Sequence, residues 1–138
     1  MLKNLALGKA GELRVASELL IRGYEVFRTE VDSGVDLVLG NGKRIQVKTS
    51  HAVKNPGMAG YSQYVFSFKS WRRNKKGYEA HLLTDVDFVI LWAIEDNFFF
   101  IVPTEVVRGK YSIVLGFQRK REWSKYLAFR DNWEALKS

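Results

Sequence analysis

Gly40-Asn41-Gly42 lies between two short runs of strand-forming residues, Val35 to Leu39 and Lys43 to Thr49. Glycine and asparagine so placed turn a chain back on itself, so the two runs are expected to pair as an antiparallel hairpin. Side chains alternate along a strand, which puts Gln46, Lys48 and Ser50 on one face and Ile45, Val47 and Thr49 on the other. Apolar Ile45 and Val47 suit a core, leaving Gln46 and Lys48 towards a cleft. Directly opposed residues of an antiparallel pair point to the same side. A two-residue Asn41-Gly42 turn would give opposed pairs whose numbers sum to an odd value, and would aim Asp36 away from Gln46. A three-residue Gly40-Asn41-Gly42 loop instead pairs Leu39 with Lys43 and sets Asp36 opposite Gln46. The loop therefore decides whether a carboxylate, an amide and an ammonium share one face.

A second carboxylate comes from the stretch before the hairpin. Residues from about Asn4 to Arg22 read as an amphipathic helix ended by Gly23, the usual residue just beyond a helix C-terminus. At about 100° per residue, Ala6, Ala10, Leu13, Ala16, Leu19 and Leu20 form one broad apolar face, with Gly11, Arg14, Glu18 and Arg22 opposite. Glu12 falls inside the apolar arc, where a carboxylate is costly unless paired or bound to metal. Lys9 falls within the same arc. A glutamate near a helix N-terminus is also favoured by the helix dipole.

Downstream, Tyr24 to Thr29 reads as a strand preceding the hairpin, and His51 to Tyr61 as a loop. Ser62 to Phe68 is another strand, and Ser70 to Tyr78 an exposed basic loop. Val86 to Ala93 is a buried strand, turned by Glu95-Asp96-Asn97 into Phe98 to Val102. Thr104 to Val107 is a helical turn, Tyr111 to Leu115 a strand, and Arg130 to Leu136 a short helix. One helix followed by a mostly antiparallel sheet, with short helices later, predicts an α/β or α+β fold. The 138 residues suit one domain spanning 1–138.

Composition narrows the function. With 0 cysteines there is neither a disulfide framework nor a thiolate zinc site, which fits a cytoplasmic protein. Only His51 and His81 could supply imidazole. No apolar run approaches the roughly 20 residues that span a bilayer, and Lys9, Glu12 and Arg14 interrupt any secretory signal. The formal net charge of +7 favours a polyanionic partner, of which nucleic acid is the commonest.

Taken singly, Glu12, Asp36, Gln46 and Lys48 each read as a solvated surface group. Together they make a set that can hold a hard cation against a phosphodiester. Asp36 would be the main anionic ligand, the Gln46 carbonyl a neutral oxygen ligand, and Glu12 a direct or water-mediated ligand. Magnesium, with manganese as substitute, tolerates one or two carboxylates plus waters and phosphate. Lys48 would stabilise charge on the phosphate or orient the attacking hydroxide.

At these residues the chain resembles the PD-(D/E)xK nuclease superfamily. The resemblance rests on Gly8-Lys9-Ala10-Gly11-Glu12, Gly34-Val35-Asp36 and Gln46-Val47-Lys48-Thr49. Val86-Asp87-Phe88 through Phe99-Phe100-Ile101-Val102-Pro103, and the ending Tyr126 to Leu136, look like a subgroup of intron-encoded homing endonucleases. The resemblance implies a restriction-endonuclease-like core, a central mixed or antiparallel sheet flanked by helices, and magnesium-dependent phosphodiester hydrolysis. Most of the superfamily carries Asp or Glu at the position of Gln46, although several members of the subgroup carry glutamine. Archaeal-type Holliday junction resolvases share the size, the glutamate helix and the Gly-Val-Asp motif, but usually carry Glu-Val-Lys. A catalytically silent DNA-binding module is the reading from a different class.

Arg72, Arg73, Lys75 and Lys76, beside Trp71 and Tyr78, are the candidate phosphate contacts. Charge runs of this kind are commonly solvated turns. Arg119, Lys120 and Arg121 form a second cluster of the same kind. DNA is the expected partner, and the expected location is cytoplasmic, on the nucleoid when DNA is bound. Cutting both strands of a duplex needs two sites or two visits, so a homodimer or dimer of dimers is expected, with Phe98 to Phe100 as the associating surface.

Overall fold

The structure is a computed structural model that describes residues 3–29, 34–54, 62–68, 70–74, 77–81, 86–116 and 125–137. It opens with helix α1, Lys3–Ile21. Gly23 takes the left-handed conformation at φ +92°, its N–H donating to Leu20 O and the Tyr24 N–H to Leu19 O, both at 3.0 Å. That is a Schellman closure, and it ends the helix as the glycine predicts.

Five strands then build the main sheet: β1 (Val26–Arg28), β2 (Leu37–Leu39), β3 (Arg44–Ser50), β8 (Phe88–Ala93) and β9 (Phe98–Pro103), in the spatial order β1-β2-β3-β8-β9. Neighbours are antiparallel except β3 and β8, which run parallel with Gln46 beside Val89 and Lys48 beside Leu91. The sheet is thus mixed, and the parallel pair puts the site strand β3 at its centre. A second sheet has the order β10-β5-β4, from β4 (Val53–Lys54), β5 (Ser62–Ser67) and β10 (Ser112–Gly116). Among the described residues, strands β6 (Ser70–Asn74) and β7 (Gly77–His81) pair only with each other. Helix α2 (Thr104–Val107) follows β9, and two short 3-10 segments, Leu127–Phe129 and Trp133–Lys137, close the chain. Among the described residues, no helix is long and apolar enough to cross a membrane.

Both faces of the main sheet are covered. Val15 and Leu19 of α1 pack with Leu37, Ile45, Ile90 and Ile101 on one side. Tyr64, Phe66 and Leu115 of the second sheet pack with Val89, Leu91, Phe100 and Val102 on the other. The period-two alternation of β8 and β9 therefore disappears into continuous apolar runs, as expected for strands buried on both sides. The outer edge of β9 is closed by the tail. Phe100 bridges Arg130, and the Asp131 N–H donates to Phe99 O at 2.9 Å.

Several expectations change. Helix α1 buries Gly11, Val15, Ala16 and Leu19, whereas Ala6, Ala10, Leu13 and Leu20 of the expected face are exposed. The helix carries two apolar stripes, and the sheet takes the one on which Gly11 permits close approach. Phe99 and Phe100 are 3% and 0% exposed and offer no associating surface, whereas Phe98 is half-buried. The segment read as a basic loop forms the β6–β7 hairpin, with Arg72 opposite Glu79 and Arg73 opposite Tyr78. Lys75, Lys76, Arg119, Lys120 and Arg121 lie outside the described residues.

Candidate active site

The β2–β3 hairpin has the register the parity argument requires. Leu37 pairs with Ile45 and Val38 with Arg44. The three-residue loop is closed by the Leu39 N–H donating to Lys43 O and the Gly42 N–H to Leu39 O, each at 2.9 Å. Gly42 sits at φ +89°, the left-handed conformation such a loop needs.

Asp36 lies one residue before β2, where the chain leaves regular pairing. Its N–H donates to Ile45 O at 2.9 Å, and its carboxylate takes over the next position of the ladder, Oδ2 accepting the Val47 N–H at 2.7 Å. On the other side Thr29, just past β1, donates its hydroxyl to Val35 O at 2.5 Å and its N–H to Asp36 O at 3.2 Å. Thr29 and Ile45 therefore hold the backbone on either side of Asp36, and Val47 holds its carboxylate, before any ligand is considered.

Glu12 reaches the same place from α1. Its side chain is 25% exposed and lies 3.7 Å from Lys9 Nζ, an exposed i, i+3 pair of small energetic weight. It approaches strand β3 because of Gly11. A Cβ built on Gly11 would stand 1.7 Å from Thr49 Oγ1, 3.0 Å from Thr49 Cβ and 3.4 Å from Thr49 Cγ2. Only glycine lets the helix backbone lie on Thr49 this closely. The helical pattern places Gly11 opposite the apolar arc with Arg14, Glu18 and Arg22, whereas it is buried against Thr49, because a residue without a side chain gives a hydrophobicity pattern little to read.

The electrostatics mark a site rather than a stable ion cluster. Burial pushes the Asp36 carboxyl up to about 6, with the Glu12 carboxyl adding to the rise and the Val47 N–H and Lys48 opposing it. Burial lowers the Lys48 ammonium below its ordinary value, while Asp36 pulls the other way. Gln46 Oε1 is buried and finds no hydrogen-bond partner among the described residues. An amide oxygen left so costs about 1–3 kcal/mol in the absence of a ligand. A buried carboxylate whose charged form is disfavoured, and a buried amide oxygen without a partner among the described residues, suit a hard divalent cation that would neutralise the first and complete the second. Among the described residues no cluster of three or more His, Cys, Asp and Glu side chains offers a rival site.

His51, by contrast, is exposed and bonded through Nδ1 to Glu95 Oε2 at 2.7 Å, with the Ala52 N–H on Glu95 Oε1 at 2.6 Å. It fastens the β8–β9 turn to the end of β3, in keeping with a surface role. His81 lies in β7.

A family model described as PD-(D/E)XK endonuclease matches residues 3–136. Among solved structures, a bacterial homing endonuclease, I-Ssp6803I, superposes with a TM-score of 0.81 at 21% identity, over 97% of this chain and 93% of that one. That likeness establishes a common restriction-endonuclease-like fold. No curated protein matches the chain.

Proposed function

The chain belongs to the PD-(D/E)XK endonuclease family, and from that premise we propose that it is a magnesium-dependent DNA endonuclease of homing or restriction type. What supports the metal is the buried Gln46 Oε1, without a partner among the described residues, and the buried Asp36 carboxyl beside Glu12. Asp36 and Glu12 would supply the anionic ligands and Gln46 the neutral one. A divalent cation bound there supplies Lewis-acid activation of water and offsets charge on the phosphodiester. Asp36 is held so that the Val47 N–H occupies Oδ2 and Oδ1 remains for the ion. Burial lowers the Lys48 ammonium below its ordinary value, so it gives up a proton more readily than an exposed lysine. That lets it stabilise phosphate charge while remaining able to exchange a proton with the attacking water.

Glutamine in place of a third carboxylate makes the site less negative. It weakens the cation's hold but also reduces repulsion towards a phosphate. Arg72 and Arg73 of β6 belong to the proposed DNA contact, and Lys75 and Lys76 are assigned to it from the sequence. Replacing all four with alanine should weaken binding and flatten its salt dependence, each lost phosphate contact removing roughly 0.9 from the logarithmic slope. An unchanged slope assigns them to solvated surface.

Incubating plasmid, a four-way junction and single-stranded DNA with protein and magnesium tests the reading. Cleavage of plasmid supports the endonuclease, and selective cleavage of the junction makes it a resolvase. Binding without cleavage of any of the three makes it a silent module. A homodimer or dimer of dimers accompanies the reading through the need for two cuts, and light scattering with and without DNA checks it.

A further inference from the structure

We propose that Thr29 is the positioning residue for Asp36, a role that rests on the metal site described above. Asp36 stands one residue before β2, and strand β3 holds its N–H through Ile45 O and its carboxylate through the Val47 N–H, but neither bond holds the two carbonyls beside its Cα. The peptide joining Val35 to Asp36 is gripped from both sides: its carbonyl accepts the Thr29 hydroxyl at 2.5 Å, and its N–H donates to Ile45 O at 2.9 Å. The next carbonyl, Asp36 O, accepts the Thr29 N–H at 3.2 Å, with the Thr29 hydroxyl a further 3.4 Å contact. Thr29 thus holds two successive carbonyls flanking the Asp36 Cα. The side chain is then fixed at Oδ2 by the Val47 N–H. Removing the hydroxyl frees the peptide to rotate, and the carboxylate must leave either Val47 or the cation.

The roles of the two parts of Thr29 are separable. Its backbone N–H survives every substitution except proline, whereas its hydroxyl is lost in Thr29→Val at nearly constant shape and in Thr29→Ala with a smaller side chain. Thr29→Ser keeps the hydroxyl and removes only a methyl group. A merely structural, space-filling Thr29 would tolerate valine best, serine less well and alanine worst. A hydroxyl clamp instead tolerates serine and is impaired by both valine and alanine.

The test uses the whole chain without DNA. Manganese(II) chloride binding is followed by calorimetry or by the paramagnetic signal, and protection of the Val47 amide is followed by hydrogen exchange, with circular dichroism confirming the fold. Loss of a group that orients a metal ligand typically weakens metal affinity by about 10- to 100-fold, which is the expected loss in Thr29→Val and Thr29→Ala. Val47 should lose protection in both, while Thr29→Ser stays close to the parent in both readouts. Parental manganese affinity and parental Val47 protection in folded Thr29→Val, or an equal loss in Thr29→Ser, would overturn the proposal. Should the parent chain bind no manganese at all, the metal site fails, and the exchange comparison by itself then decides whether Thr29 clamps Asp36.

Discussion

Replacing Gly11 with alanine is ordinarily a favourable change inside a helix, worth about 1 kcal/mol through helix propensity. Here the new methyl carbon would meet Thr49 Oγ1 at 1.7 Å, about half of an ordinary contact. Rotating the Thr49 side chain can remove that oxygen, but Thr49 Cβ stays at 3.0 Å and must still yield by a few tenths of an ångström. Overpacking of this kind costs about 1–3 kcal/mol, so net stability should fall by no more than about 2 kcal/mol. That corresponds to a loss of roughly 4–8 °C in melting temperature, from about 2–4 °C per kcal/mol. Activity should fall much further, because Glu12 is the next residue and moves with the helix. A displacement near 1 Å in a catalytic group costs about 100-fold in rate. The double variant Gly11→Ala/Thr49→Ala removes the oxygen and Cγ2 and should recover much of that activity. The assay is magnesium-dependent cleavage beside a thermal melt for both variants. A Gly11→Ala chain that melts higher than the parent and cleaves at the parent's rate would refute the close approach of α1 to β3.

Asp36 also makes metal-free stability depend on pH. Its carboxyl rises from 3.8 to about 6 on folding, so its contribution to stability is fully present below pH 3.8 and is lost as pH rises through about 6. The shift amounts to about 3 kcal/mol at roughly 1.4 kcal/mol per unit. Metal-free melts should therefore drop across that window, and magnesium should bind more tightly as pH rises through it; a magnesium affinity independent of pH would contradict this. Gly8→Ala is the counterpart to Gly11→Ala, since a Cβ at Gly8 meets nothing within 4 Å. It should stabilise the chain by about 1 kcal/mol, and a lower melting temperature would show that the space is filled.

What was legible in the sequence was local and periodic. Strand parity and the glycines of Gly40-Asn41-Gly42 were enough to set the β2–β3 register, with Leu37 opposite Ile45, because a one-residue slip flips every side chain. The buried face of α1 was not legible: its two apolar stripes score alike, and the deciding contact is between Gly11 and Thr49, 38 positions apart. The parallel pairing of β3 with β8 likewise joins distant segments that carry no mutual signal. Phe98 to Phe100 read as surface aromatics because an edge strand was expected to be open, and the tail at Arg130 and Asp131 covers it. Thr29 had no signal beyond lying in the strand before the hairpin. Its role follows from two carbonyls that only the folded chain brings to it.

In the proposed site Asp36, with Glu12 and Gln46, would hold the cation that drives cleavage, and Lys48 would act on the phosphate. Cleavage rate against magnesium concentration for Asp36→Asn, Lys48→Ala and Gln46→Glu, with circular dichroism on each, addresses it directly. Asp36→Asn removes the charge at nearly constant shape, so cleavage should collapse in a folded protein. Lys48→Ala should also abolish cleavage while leaving metal binding largely intact, and Gln46→Glu should retain detectable activity with altered metal preference. Parental cleavage by folded Asp36→Asn would contradict the account, because the catalytic cation would then be held elsewhere.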